Sequence, residues 1–383
     1  MPDIDLVVLG GGLAGLSLAE RLSAAGDRAP RTLVLEARAR YEDDRTWCFW
    51  RLEPHRYDAL AAASWSRFVV RDRGREATCD CADTPYQMIP SGAFYEHARD
   101  AIAGSPNVTL ELGCAVTAAP VRQGDAWRVE REGGAAVLAR HVVDTRPPQQ
   151  RPDSILWQSF VGDVVETAHD AFDPSAAVLM DFDEACEDGV QFVYVLPTSR
   201  RRALVETTVF GPRPLAADAL AERQATHVRA RAAGADYAVL RSEHGVLPMG
   251  HAPLPASGVV RASLFHGGAR ASTGYAFQRI QAWADACAAS LLTRGVPRPP
   301  AREPWLRRVM DEVFLRVLRA QPARGGAMLF GMFERAEPGR VIRFLSDRGG
   351  LRDALAVVGA LPPGPFLHQS VRAMLRAPCR GSA

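Results

Sequence analysis

Ile4-Asp-Leu-Val-Val-Leu9, then Gly10-Gly-Gly12-Leu13-Ala14-Gly15 and, after a second apolar run Thr32–Leu35, the acid Glu36: these residues decide how the chain begins to fold. An apolar run of strand type feeds a glycine turn, and a helical segment follows from Leu13 to Ala25. The acid falls about 20 residues beyond the glycines, the spacing of a βαβ dinucleotide-binding unit. Gly10 permits the tight turn, Gly12 lets backbone N–H groups approach a pyrophosphate, and Gly15 lets helix and strand pack closely. The helix N-terminus, with Leu13 and Ala14 in its first turn, turns its partial positive charge toward the phosphates. Glu36 is then placed to accept hydrogen bonds from ribose hydroxyls. Flavoproteins commonly begin with this unit, so by analogy the expected dinucleotide is FAD.

Bulk composition narrows the chemistry. The chain has 383 residues, 47% of them hydrophobic and 23% charged, with a net charge of +2. That is enough for two joined domains with substantial cores, and it carries no basic footprint for nucleic acid. All 46 cationic residues are arginine, which removes Schiff-base, PLP and Walker-type lysine chemistry. Seven cysteines are scattered, and the close pair Cys79-Asp-Cys81 has no partner pair at zinc spacing, so no metal is expected. An odd thiol count and the lack of a basic leader predict reduced cysteines and a cytoplasmic location. No apolar stretch reaches transmembrane length.

Farther along, Asp43-Asp-Arg45-Thr-Trp47-Cys-Phe49-Trp50 sets three large aromatics beside charges, a pattern that suits a buried corner or the wall of a ligand site. Ser91 is the expected N-cap of a helix through Ile102. Strand-like runs at Val108–Leu112, Ala126–Arg131 and Ala135–Val143 end at Asp144-Thr-Arg146, a return to the nucleotide sheet. From Ile155 to Phe210 the pattern is β, with runs at 155–161, 176–183, 190–196 and 203–210; a helix is expected from Leu215 to Ala232. A strand Val259–Phe265, the loop His266-Gly-Gly268-Ala-Arg270-Ala-Ser-Thr273-Gly274-Tyr275 and a helix to about Leu292 read as the second half of a flavin site. The fold class is α/β: a Rossmann-type, glutathione-reductase-like FAD domain, an antiparallel substrate sheet and a helical C-terminal region. The expected division is 1–83 and 84–150 for the first two parts of the FAD domain, 151–240 for the substrate domain, 241–300 for the last FAD part and 301–383 for the helices. In that last region Met328, Leu329, Phe330, Met332, Phe333, Phe344 and Leu345 alternate with arginines; helices packing on the sheet account for most of them, and the sharper alternative is a monotopic surface resting on a bilayer.

Several segments together resemble the bacterial flavin-dependent lycopene β-cyclases: Arg45-Thr-Trp47-Cys-Phe-Trp50, Pro85-Tyr86-Gln-Met88-Ile, Phe94-Tyr95, Phe192-Val-Tyr194-Val-Leu196-Pro197, Leu204-Val-Glu206-Thr-Thr208, Glu243-His-Gly245-Val-Leu-Pro248-Met249 and Gly268 through Phe277. Their order matches the family's and they span most of the chain. The acid motif departs from it, reading Val-Glu-Thr-Thr rather than a doubled acid. The resemblance implies a redox-neutral cyclisation of the ψ-ends of a linear carotene such as lycopene, with reduced FAD beside the carbocation and NAD(P)H serving only to keep it reduced. An alkene is a poor base, so its acid must stay protonated in a dry site.

By resemblance that acid is Glu206; periodicity alone places a glutamate there on an outward strand face. Asp181 and Asp183 are candidates to support it, Glu243 to shape the flavin pocket, and His244 or His266 to take the final proton. The implied cofactor residues are Gly10, Gly12, Leu13, Ala14, Gly15, Glu36, Arg45, Trp47, Asp144, Gly268, Thr273 and Gly274. The competing activities on the same fold are a flavin monooxygenase or halogenase and a prenyl reductase. Against the first, the late loop reads Gly268-Ala-Arg270 where hydroxylases usually carry Gly-Asp.

Overall fold

A computed structural model describes residues 4–116, 118–182, 186–250, 258–366 and 369; Asp183 lies outside the described residues. The opening unit folds as its pattern predicts. Strand Ile4–Leu9 pairs in parallel with Thr32–Leu35 on one side and Val137–Asp144 on the other, with the helix Leu13–Ser23 crossing between. The strand Val108–Glu111 extends the parallel sheet beyond Thr32–Leu35, and Ala126–Val129 and Val121–Gln123 add an antiparallel edge. Helices Leu13–Ser23, Ser91–Ala103 and Phe277–Arg294 cover one face around Leu16, Phe94 and Trp283.

The second sheet has seven strands. Its centre is the antiparallel group Tyr237–Met249, Leu156–Thr167, Arg202–Gly211 and Val190–Pro197, continued by Ala177–Asp181 and then by the hairpin Arg67–Asp72 and Arg75–Asp80. Strict alternation along Arg202–Gly211 sends Val205 and Val209 one way and Leu204, Glu206 and Thr208 the other. Val205 packs with Val228 of the helix Ala217–Arg231. The opposite face meets the C-terminal helices Trp305–Ala320, Gly325–Arg335, Pro338–Leu345 and Leu351–Ala360, and also Trp50 of a small three-stranded sheet. Both faces are therefore covered.

Several expectations are corrected. The hairpin Arg67–Asp80 lies within the segment expected to begin the FAD domain, yet it pairs with the antiparallel sheet. The expected boundary at 240/241 falls inside the strand Tyr237–Met249, whose thirteen residues pair along Leu156–Thr167. The strand expected over 259–265 is only Val260–Arg261, because the Ser263 hydroxyl accepts from Phe265 N–H and starts a 3₁₀ turn over Leu264–His266. Ser91 is the first helical residue rather than the cap; its hydroxyl accepts from the backbone N–H groups of Asp44 and Arg45, tying the aromatic corner down.

Of the two uses open to the apolar C-terminal residues, packing on the sheet holds for most of them. Phe330 and Phe333 are 1% and 4% exposed, and Met328, Leu329, Met332 and Leu345 are buried too. Large exposed apolar side chains stand elsewhere in that region, at Trp305, Leu306, Leu351, Leu355 and Val358. Among the described residues no helix is long and apolar enough to cross a membrane.

Candidate active site

One continuous cavity of about 1140 Å³ runs from the glycine turn, past the second sheet, to the C-terminal helices. Its first end is the expected nucleotide cradle. Gly10, Gly12, Leu13, Ala14 and Glu36 line it, with Arg45 and Trp47 beside them. A Cβ at Gly12 would meet nothing within 4 Å, so that glycine leaves open space over the helix N-terminus. Gly15 does a different job. A Cβ there would stand 2.0 Å from the Gly10 carbonyl oxygen, so its bare Cα lets helix and turn touch.

Glu36 accepts from Gly11 N–H at 2.6 Å and from the Arg38 backbone and guanidinium. Burial alone would raise its pKa, but these hydrogen bonds and the Arg38 charge win and hold it below the usual carboxylate range. Thr273 and Gly274 wall the cavity, joined by Gln158, whose buried carbonyl oxygen has no hydrogen-bond partner among the described residues. An open glycine cradle, an anionic acid at the end of the second strand and an unspent buried acceptor suit a bound dinucleotide. Three expected members stand off the wall: Gly15 packs against the Gly10 carbonyl, Asp144 is bound by the backbone N–H and guanidinium of Arg146, and Gly268 closes a turn against the Ser263 carbonyl.

Where the cavity crosses the second sheet it becomes apolar, walled by Phe160, Leu204, Phe192, Phe210 and, from the helices, Leu329 and Phe333. Glu206 projects into this stretch. Its carboxylate accepts one hydrogen bond, from the Thr208 hydroxyl at 2.7 Å, and among the described residues it has no ion-pair partner. Burial, reinforced by the charge of Glu243, pushes its pKa up to about 8, against which Thr208 acts only weakly. It is a protonated carboxylic acid at neutral pH, facing an oily chamber. Sheet alternation explains the position, and the C-terminal helices turn what reads as a solvent face into an enclosed one.

Around it stands a set of polar groups that the sequence reading left unassigned. The Tyr86 and Tyr194 hydroxyls are 2.7 Å apart, and Tyr275 and Cys48 interact with them. Burial raises all four pKa values, so all four stay neutral. Tyr194 lies directly across the ladder from Glu206. The signal that could have found Tyr194 is the i, i+2, i+4 row Phe192, Tyr194, Leu196 on the strand beside Glu206.

The family description "Lycopene cyclase protein" matches residues 5–371, nearly the whole length. The chain belongs to the lycopene cyclase family. It is 30% identical to a lycopene beta-cyclase from Pseudescherichia vulneris, over 97% of both chains, and 29% identical to one from Paracoccus sp., over 98% of both. Among solved structures, its fold is similar to a geranylgeranyl bacteriochlorophyll reductase-like protein from Thermoplasma acidophilum, with TM-score 0.62, 10% identity and coverage of 95% of this chain and 98% of that one. A flavin-dependent monooxygenase solved with FAD and substrate also aligns, with TM-score 0.59 and 13% identity over 98% of this chain and 72% of that one.

The remaining candidates separate within this family frame. Asp181 is ion-paired to Arg231 at 2.7 Å, away from the cavity wall. His244 is exposed, and His266 is buried against the Ser263 hydroxyl; neither lines the cavity.

Proposed function

We propose that this chain is a lycopene β-cyclase, converting the ψ-end groups of lycopene to β-ionone rings, β-carotene forming by way of γ-carotene. The observation that supports it most is Glu206, a carboxylic acid held neutral up to about pH 8 and aimed into an apolar cavity continuous with a dinucleotide cradle. Glu206 gives its proton to the terminal alkene, the resulting tertiary cation is attacked by the neighbouring double bond, and loss of a proton leaves the ring. The acid stays loaded because no cation among the described residues contacts it and burial penalises its charged form. The aromatic walls Phe160, Phe192 and Phe210 exclude water that would trap the cation, and they offer π-faces to it.

FAD is the proposed cofactor, held by Gly12, the helix N-terminus, Glu36, Thr273 and Gly274. In its reduced form it supplies negative charge and a flat surface beside the cation without net electron transfer. NAD(P)H is the proposed source of that reduction. The substrate is an oily polyene, and peripheral membrane contact belongs to the same proposal. The end of the cavity remote from the cradle lies between the helices that carry Val309, Val357 and Val358. The same helices hold the exposed Trp305, Leu306, Leu351, Leu355 and Val358. Expression in a lycopene-accumulating cell followed by pigment chromatography tests the reading: a product of unchanged mass with cyclic ends is expected. A gain of two hydrogens would make the enzyme a reductase, and a gain of oxygen a monooxygenase.

A further inference from the structure

The central strand Leu156–Thr167 carries a glycine, Gly162, opposite two acids at once: Glu206 on the strand to one side and Glu243 on the strand to the other. Side chains in register across adjacent strands share a face, and both glutamates line the same cavity. Gly162 makes their approach possible. A Cβ there would come within 3.2 Å of Glu206 Cβ and 3.3 Å of its Cγ, so Glu206 leans over the bare position toward Glu243.

The two acids are provided for differently. Glu206 has one hydroxyl donor. Glu243 is 4% exposed and accepts from the Arg241 guanidinium at 2.6 Å and from the Thr46 hydroxyl at 2.8 Å, while Arg241 in turn donates to Thr46 at 2.7 Å and pairs with Asp43 at 3.2 Å. Burial pushes the Glu243 carboxyl up as well, but the Arg241 charge and the hydrogen bonds from Arg241 and Thr46 oppose it, whereas Glu206 has only the Thr208 hydroxyl, so Glu243 is the better stabilised anion of the pair. The remaining groups that face the pair are Arg45, which acts on Glu243, and Cys48 and Tyr194, both kept neutral by burial.

We infer that Glu243 is a positioning residue, the fixed negative charge that keeps the transferable proton on Glu206 across Gly162. The inference rests on the reading of Glu206 as the proton donor. It assigns to the Thr46–Arg241–Glu243 triangle the task of reloading that donor after each turnover, since a proton arriving at the pair settles on the partner that lacks a cation.

Infrared difference spectroscopy on the flavin-loaded protein tests it. A carboxylic C=O band lost in Glu206→Gln identifies the protonated acid, and its disappearance with rising pH gives the midpoint. In Glu243→Gln the midpoint should fall by about one pH unit or more, because a nearby like charge has been removed. The alkaline limb of the activity profile should move down with it. Arg241→Met should move the midpoint upward, since it unmasks the Glu243 charge; this variant keeps the test open if Glu243→Gln does not fold. A band present in wild type but unmoved in both variants overturns the role of Glu243 and leaves Glu206 as the acid. No band sensitive to Glu206→Gln overturns both.

Discussion

With Glu206 as the proposed proton donor, its environment fixes what substitutions should do. Glu206→Gln keeps shape and hydrogen bonding but has no proton to give, so fold and flavin should remain while cyclisation drops by about 10²–10⁴-fold, the usual size of a general-acid contribution. Glu206→Asp withdraws the proton by about an ångström and should cost around a hundredfold. With the acid raised to about 8, wild-type turnover should fall as pH rises through that value. The sign for stability follows from the same shift. Between the ordinary carboxylate range and about 8 the folded state binds the proton and the unfolded state does not. Stability is therefore lost as pH rises through that window, and Glu206→Gln should be the more stable protein at its alkaline end. Denaturant unfolding of both proteins at pH 5 and pH 9 checks this; a gap that does not widen would contradict it.

At the scale of elements, the glycine turn separates binding from folding. Gly12 faces open space and Gly15 faces the Gly10 carbonyl at 2.0 Å, so Gly12→Val should fold but not retain flavin, whereas Gly15→Val should destabilise the protein itself. Flavin absorbance and thermal melting, read together, distinguish the two. The loop that carries Thr273 and Gly274 is clamped from the C-terminal helices. Arg270, buried on every side, pairs with Asp311 at 3.1 Å and with Asp347 at 3.4 Å, and Asp311 also accepts from the Ser272 hydroxyl at 2.8 Å. Removing one partner strands a buried charge, so Arg270→Met should lose about 3–5 kcal/mol of stability. Flavin should leave this variant more readily, because the loop it frees forms part of the cavity wall.

For the whole molecule, the reaction is expected to leave substrate and product with equal mass, to place one solvent deuterium in each new ring in D₂O, and to consume no stoichiometric reductant. Oxidation of NAD(P)H mole for mole with product would contradict it. The same scale governs the membrane. Leu355→Glu and Val358→Glu alter exposed positions near the far end of the cavity and should reduce liposome flotation while preserving the fold. Phe330→Asp places a charge in the core and should unfold the protein instead. Flotation unchanged in both surface variants would remove this face as the contact.

The residues Ile4–Glu36 specified their own fold, because strand, turn and helix follow from contacts between near neighbours and from Gly15, whose bare Cα lets helix and turn touch. The order of motifs carried the family, and the strand that bears Glu206 was visible as an alternating run. Tertiary structure decided the rest. Whether an alternating strand turns its acid to water or to a cavity depends on what covers the sheet, and helices more than a hundred residues away cover it. The pairing of Arg67–Asp80 with a strand near residue 180, the meeting of Glu206 and Glu243 over Gly162, and the burial of Phe330 and Phe333 are likewise contacts between distant segments. Composition and local periodicity set which faces are apolar; only packing sets which of those faces meet each other.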